Sequence, residues 1–169
     1  MNRSAVGIAL LVLLARPAAG QWSLSVGGGF GWHIARDLAT PQGPAVAAEL
    51  VKGFPSKNPR WGPFVALLDP GSNMRANGGV KVILGSLNPS LVEVSASAAV
   101  GVGFDLAERD RWSWDGGFVL GAGGGAALKC SSLWVTLTLD WYVQSLIHRR
   151  TSYAVATTGI RIPLSHSSR

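Results

Sequence analysis

Residues 92–106 read VEVSASAAVGVGFDL, and the pattern of this stretch predicts its secondary structure. The residues between its apolar positions are small, polar or charged. A period of two is the pattern of a β-strand with one apolar face, and a run of this length far exceeds the usual strand of about five or six residues. The apolar side chains occupy every second position: Val92, Val94, Ala96, Ala98, Val100, Val102, Phe104 and Leu106.

The same alternation recurs elsewhere in the chain. It is clear in 22–34 and 133–143 and less regular in five further segments: 45–54, 61–69, 78–87, 112–129 and 152–164. These segments bring the predicted strands to eight. The links between them alternate between compact ones and longer ones that carry most of the link arginines, which indicates an up-and-down sheet with one tight end. We therefore predict an all-β, eight-stranded antiparallel up-and-down transmembrane β-barrel.

Composition excludes several classes of protein. The chain has 169 residues, 22 of them Gly and 7 of them Trp, and only 14% are charged, whereas a soluble domain has about a quarter. Its length allows one domain. The basic residues do not cluster as a nucleic-acid interface requires. Cys130 is the only cysteine and no Cys/His cluster occurs, so we expect no disulfide, no metal site and no cofactor.

The first twenty residues have the layout of a secretory signal peptide. An apolar run at 5–15 follows Arg3, Arg16-Pro17 breaks it, and the small residues 18–20 suit cleavage before Gln21. Without Arg3 and Arg16 the net charge falls from +6 to +4. The predicted organisation is a signal peptide at 1–20, a barrel domain at 21–164 and a tail at 165–169.

Strand length and aromatic placement favour a membrane barrel. Strands of about 12–17 residues exceed the nine to eleven that cross hydrocarbon. Trp22 and Trp32 share a face ten residues apart, which is roughly 25 Å along a tilted strand and matches the apolar band of outer-membrane barrels. We predict four aromatic anchors at the membrane interfaces: Trp22, Trp32, Trp112 and Trp141.

The chain resembles the small eight-stranded outer-membrane β-barrels of the OmpA/OmpX type over residues 22–164. The resemblance rests on the signal peptide, the alternating strands, the Trp residues and the final strand, which ends GIRIPL at 159–164. It implies a bacterial outer-membrane location, contact with lipid and lipopolysaccharide, handling by the assembly machinery and a monomer. Such barrels usually end in an aromatic residue, whereas Leu164 here is followed by the tail 165–169.

Charged residues on the polar face predict a network in the lumen. Unpaired charges there are costly, so we expect ion pairs that plug the barrel, or alternatively a gate or a narrow ion path. The predicted network is Glu49, Lys81, Glu93, Asp115, Lys129, Asp140 and Arg161. Arginines of the looser end either contact lipopolysaccharide phosphates or form a solvated rim; these are Arg109, Arg111, Arg149 and Arg150.

Three functions follow from these patterns. The first is a structural or surface-interaction protein of the outer membrane without an open solute pore. The second is a barrel hydrolase that modifies lipid A, using His148 and Ser152, although nothing visible orients His148. The third is a soluble secreted barrel that binds an apolar ligand and turns its apolar faces inward. The glycine runs at 27–29 and 121–125 lie inside strands, so we interpret them as sites of lumen crowding or close strand packing.

Overall fold

The computed structural model describes residues 22–35, 38–52, 59–69, 73–85, 91–109, 111–146 and 150–164. The predicted signal peptide and the tail lie outside these ranges. No helix long and apolar enough to cross a membrane occurs in the described part of the chain. The strands are β1 (Trp22–Ala35), β2 (Leu38–Lys52), β3 (Arg60–Leu68), β4 (Asn73–Gly85), β5 (Val92–Arg109), β6 (Arg111–Cys130), β7 (Leu133–Leu146) and β8 (Arg150–Pro163).

Each strand pairs antiparallel with the next, and β8 closes on β1. This topology confirms the predicted eight-stranded up-and-down barrel. Paired residues form an oblique row that starts at Trp22 and returns to β1 at Trp32, ten residues further along. Such a stagger tilts the strands, and an eight-stranded barrel is narrow enough for side chains to fill its lumen.

The two ends of the barrel differ. We call the end that carries the β2–β3, β4–β5 and β6–β7 links the turn end, and the opposite end the loop end. The prediction that the turn-end links are the shorter ones is wrong by the observed bounds: they span 53–59, 86–91 and 131–132, against 36–37, 69–72, 110 and 147–149 at the loop end. At the loop end β2 begins at Leu38 and β4 at Asn73, earlier than the predicted 45 and 78. These extensions contain Pro, Gly and Asn, which lack strand propensity, yet they pair with β1 and β5. Pairing with a well-formed neighbour therefore overrides local composition.

The outer and inner faces of the wall have opposite chemistry. Outward residues are apolar and exposed, among them Val94 at 63%, Leu120 at 63% and Phe118 at 75%. Inward residues include a buried cluster in which Phe64 and Tyr142 pack together. The alternative of a soluble barrel that binds an apolar ligand required the apolar side chains to face inward and the polar ones to face outward, which the structure does not show.

Some glycines mark places where neighbouring strands approach closely. Gly79 on β4 pairs with Gly101 on β5. A Cβ on Gly79 would overlap the carbonyl oxygen of Val100 and lie 2.6 Å from the Cα of Gly101. The adjacent Gly78 has more room, since its Cβ would meet nothing closer than the Phe64 carbonyl oxygen at 3.6 Å. The two neighbouring glycines thus offer a matched comparison.

Gly79→Ala should lower the free energy of unfolding by about 1–3 kcal/mol, because the new methyl overpacks the wall against backbone that cannot move aside. Gly78→Ala should leave stability unchanged or slightly raise it, since it restricts only the unfolded chain. Urea unfolding in detergent micelles, followed by the folded band on an unheated gel, measures both. Equal losses in the two variants would contradict close packing at Gly79.

Candidate functional site

The turn end of the lumen contains a cluster of two cations around one anion. Arg60 donates from Nη2 to Glu93 Oε1, and Arg161 Nη1 lies 3.2 Å from both carboxylate oxygens of Glu93. Arg161 also donates from Nε to Ser25 Oγ at 3.3 Å. All three charged side chains are buried. Glu93 is therefore the shared counter-ion of two guanidinium groups that reach it from β3 and β8.

The middle of the lumen has the opposite composition, with one cation between two anions. Lys81 Nζ donates to Glu49 Oε1 at 2.5 Å and to the Asp140 carboxylate at 2.9 Å. Ser97 Oγ lies 3.2 Å from Asp140 Oδ1 and donates to it. The cluster joins β2, β4, β5 and β7 across the lumen, so its ion pairs tie together strands that are not neighbours.

Towards the loop end the lumen holds a third ion pair and an aromatic group. Arg75 Nε lies 3.1 Å from Asp105 Oδ1, and its guanidinium carbon is 5.7 Å from the centroid of the Tyr153 ring. Tyr153 packs against Tyr142 at 5.6 Å between centroids. Asn77 donates from Nδ2 to the Tyr153 hydroxyl. These aromatic rings separate the third pair from the middle cluster.

The ion-paired network balances its charges. Pairing is what makes buried charges tolerable, because an ion without a counter-ion loses its hydration and gains nothing in return. The turn-end cluster has a net charge of +1, the middle cluster has −1 and the third pair is neutral. The net charge of the network is therefore zero. The network consists of the cations Arg60, Arg75, Lys81 and Arg161 and the anions Glu49, Glu93, Asp105 and Asp140.

A small cavity with both polar and apolar lining residues lies beside the middle cluster. Its volume is about 20 Å³, which is room for about one water molecule. Its hydroxyl groups include those of Thr138 and Thr157, whose Oγ1 atoms are 2.8 Å apart. The other lining residues are Ser25, Val26, Gly27, Ala47, Glu49, Thr136 and Arg161. A cavity of this size does not accommodate a solute.

Five of the seven predicted lumen residues lie in the two clusters nearest the turn end: Glu49, Lys81, Glu93, Asp140 and Arg161. Lys129 lies in the inward phase of β6, but it is exposed at the turn end. The backbone of Asp115 pairs with Asp105, and its side chain is outside the described part of the structure. The structure thus brings most of the predicted network together.

Sequence reasoning missed Arg60, Arg75 and Asp105. By the predicted strand bounds both arginines fall in links, whereas the structure places both inside strands and buries them. One signal was available, because Arg75 shares its phase with Asn77 and Lys81 along β4. Asp105 is in the polar phase of β5, so its inward position was predictable.

The predicted aromatic anchors differ in position. Trp22 and Trp32 lie at the two ends of the oblique row, outward and half-buried. Trp141 faces outward within β7, not at its end, and donates from Nε1 to Ser152 Oγ at 2.6 Å. The side chain of Trp112 is outside the described part of the structure. Trp61, which was not predicted as an anchor, lies on the same row and is 49% exposed.

The loop-end arginines and the hydrolase residues are only partly described. Arg150 begins β8 and is exposed, and Arg109 pairs through its backbone with Arg111 at the tip of the β5–β6 hairpin. Arg149 and His148 lie outside the described residues. Ser152 accepts the Trp141 indole hydrogen bond on the outer face. Within the described ranges, no group of three or more His, Cys, Asp or Glu side chains could hold a metal ion.

The geometry defines a class of protein: a small eight-stranded antiparallel barrel with an apolar exterior and a charged, filled lumen. No family model matches the chain, and no curated protein matches it. Solved outer-membrane barrels do share its fold.

Three of these structures illustrate the likeness. Neisserial surface protein A aligns with a TM-score of 0.70 at 9% identity, covering 83% of this chain and 96% of that one. The N-terminal β-barrel domain of Pseudomonas aeruginosa OprF aligns with a TM-score of 0.58 at 12% identity, covering 85% and 99%. Ail of Yersinia pestis, the attachment invasion locus protein, aligns with a TM-score of 0.51 at 11% identity, covering 86% and 100%. At such identities the likeness establishes the fold alone.

Proposed function

We propose that this chain is an integral outer-membrane protein whose closed barrel serves the envelope structurally or presents a contact surface, without conducting solutes. The observation that carries this proposal is the inverted distribution of charge. Eight ionised residues lie inside the barrel as a balanced network, while the outer face is apolar. In water this outer face would be a large exposed apolar patch, whereas in a bilayer it contacts the lipid hydrocarbon.

The outer face supports membrane insertion in detail. Among outward strand positions with described side chains, only Lys52 and Arg150 are charged. Lys52 ends β2 at the turn end, and Arg150 begins β8 at the loop end. The surface between them is a band bounded by Trp22 and Trp32, and its height of roughly 25 Å is that of an outer-membrane barrel.

The filled lumen supports a role other than solute transport. Tyr142, Tyr153 and Val119 are all at most 2% exposed, and ion pairs occupy the lumen on the turn-end side of them. Wide aqueous channels occur in barrels with about twice as many strands. We also propose that the loop end contacts lipopolysaccharide phosphates, because Arg150 is exposed there and the β5–β6 hairpin tip carries Arg109 and Arg111. Two proteins of the same fold, Neisserial surface protein A and the attachment invasion locus protein Ail, are named for the cell surface and for attachment, which agrees with a contact role.

Reconstitution of the mature protein into phospholipid vesicles tests the proposal. We expect an unheated sample to migrate differently from a boiled one on a gel, vesicles to retain the protein after an alkaline wash, and planar bilayers to show no solute-sized conductance. Identical migration together with loss in the wash would refute membrane insertion. A stable conductance that admits small sugars would refute the closed lumen while leaving insertion intact.

A further inference from the structure

Lys52 is unusual because it is a cation on the outward face at the turn end of the barrel. It pairs with Trp22 on β1 and with Trp61 on β3, and all three residues share the outward phase. Lys52 and Trp22 are half-buried, and Trp61 is 49% exposed. By strand register, Lys52 therefore lies between Trp22 and Trp61 on the outer wall where the apolar band ends.

The protein supplies no described counter-ion for this ammonium group. In the strands whose side chains the structure describes, no carboxylate faces outward, and the nearby acid Glu93 is buried inside with Arg60 and Arg161. A lysine in this setting lays its aliphatic stem along apolar surface and extends its head to the membrane interface. Within the described strands, the outer face therefore offers this ammonium group no carboxylate partner.

We propose that Trp22, Lys52 and Trp61 form a binding site for the phosphate headgroup of an anionic phospholipid. Phosphate oxygens accept charge-assisted hydrogen bonds from ammonium, and indole N–H groups are donors only. Tryptophan rings prefer the headgroup level, with the ring body against acyl chains. The three side chains therefore match both the polar and the apolar parts of one lipid molecule.

The turn end decides which leaflet supplies the lipid. Outer-membrane barrels extend their longer excursions to the extracellular side. The longest hairpin here, β5–β6, has its tip at the loop end, so the turn end faces the periplasm, where the inner leaflet consists of phospholipid. This step rests on the proposed membrane insertion. A phospholipid bound here would lie at the opposite end of the barrel from Arg150, which is the end where lipopolysaccharide contact is proposed.

The test compares Lys52→Gln with Lys129→Gln. Lys129 is a matched control, since it is an exposed cation at the same end but belongs to the inward phase of β6. Folded protein in neutral detergent is titrated with phosphatidylglycerol, and bound lipid is counted by native mass spectrometry, with phosphatidylcholine as the reference lipid. We expect Lys52→Gln to weaken the first phosphatidylglycerol bound about fivefold, the size of effect of one cation at an anionic lipid surface, while Lys129→Gln and Lys52→Arg bind like the wild type.

Two results would overturn the site. If both Gln variants weaken binding equally, net charge and not this geometry attracts the lipid. If neither does, Lys52 holds no headgroup. In both cases the wild type still shows heat-dependent migration and vesicle insertion, so only the lipid site fails. Failure of the wild type to insert would instead refute the proposed function, and the lipid site with it.

Discussion

Replacing Glu93 by Gln is expected to lower the free energy of unfolding by about 3–5 kcal/mol, which is the cost of removing one partner from a buried ionic cluster. Glu93 is 1% exposed and is the counter-ion of both Arg60 and Arg161. Gln keeps the side-chain size but leaves two guanidinium groups beside each other without an anion. Urea unfolding in micelles, followed by the folded band on an unheated gel, measures the loss.

Because this cluster has two cations and one anion, removing the anion should cost more stability than removing one cation. Arg161→Gln removes the surplus cation and leaves the Arg60–Glu93 pair intact, so its cost should be well below that of Glu93→Gln. Lys129→Gln, at the exposed surface of the same end, should cost nearly nothing, because exposed charges contribute little. Equal losses for Glu93→Gln and Arg161→Gln would show that Glu93 does not act as the shared counter-ion.

The alternating strands were predictable because a two-residue period needs only local sequence. The run 92–106 places Glu93 and Asp105 on the inward face by phase alone. The loop-end extensions of β2 and β4 were not predictable in this way. Pro44 lies opposite Phe30, and Arg75 lies opposite Asp105, so both extensions depend on a neighbouring strand that local composition does not reveal.

The pairing of charges inside the lumen depends on the stagger of the whole barrel. Phase tells which face a residue occupies, but not its height relative to a residue on a distant strand. Glu93 and Arg161 are 68 positions apart in sequence, and the register of several strand pairs fixes their heights. Sequence reasoning could therefore propose a charged lumen with Lys81 and Asp140 in it, but it could not divide that lumen into three clusters.

The division into clusters matters because it separates two interpretations of the lumen. A structural network loses stability when an ion is removed, whereas a gate changes its conductance. The middle cluster is the best place to distinguish them, since Lys81 stands between Glu49 and Asp140 and is only 3% exposed. The cavity of about 20 Å³ that contains the hydroxyl groups of Thr138 and Thr157 also lies beside this cluster.

Lys81→Met should lower the free energy of unfolding by about 3–5 kcal/mol, because it leaves the buried Asp140 and the part-buried Glu49 carboxylates facing each other without a cation. The triple variant Glu49→Met, Lys81→Met, Asp140→Leu should recover most of this loss, since replacing a whole buried ionic group by hydrophobic side chains of similar volume is often nearly neutral. Urea unfolding of the wild type, the single variant and the triple variant under the same conditions provides the comparison.

Planar-bilayer recordings of the same three proteins complete the test. If the cluster only holds strands together, Lys81→Met loses stability and its conductance stays at the level of the wild type. If Lys81 instead gates a cation path, the variant conducts cations while unfolding at wild-type urea concentrations, because the paired carboxylates then line a hydrated passage. We expect the first result, since aromatic rings of Tyr142 and Tyr153 fill the lumen on the loop-end side of Lys81 whether or not the ammonium group is present.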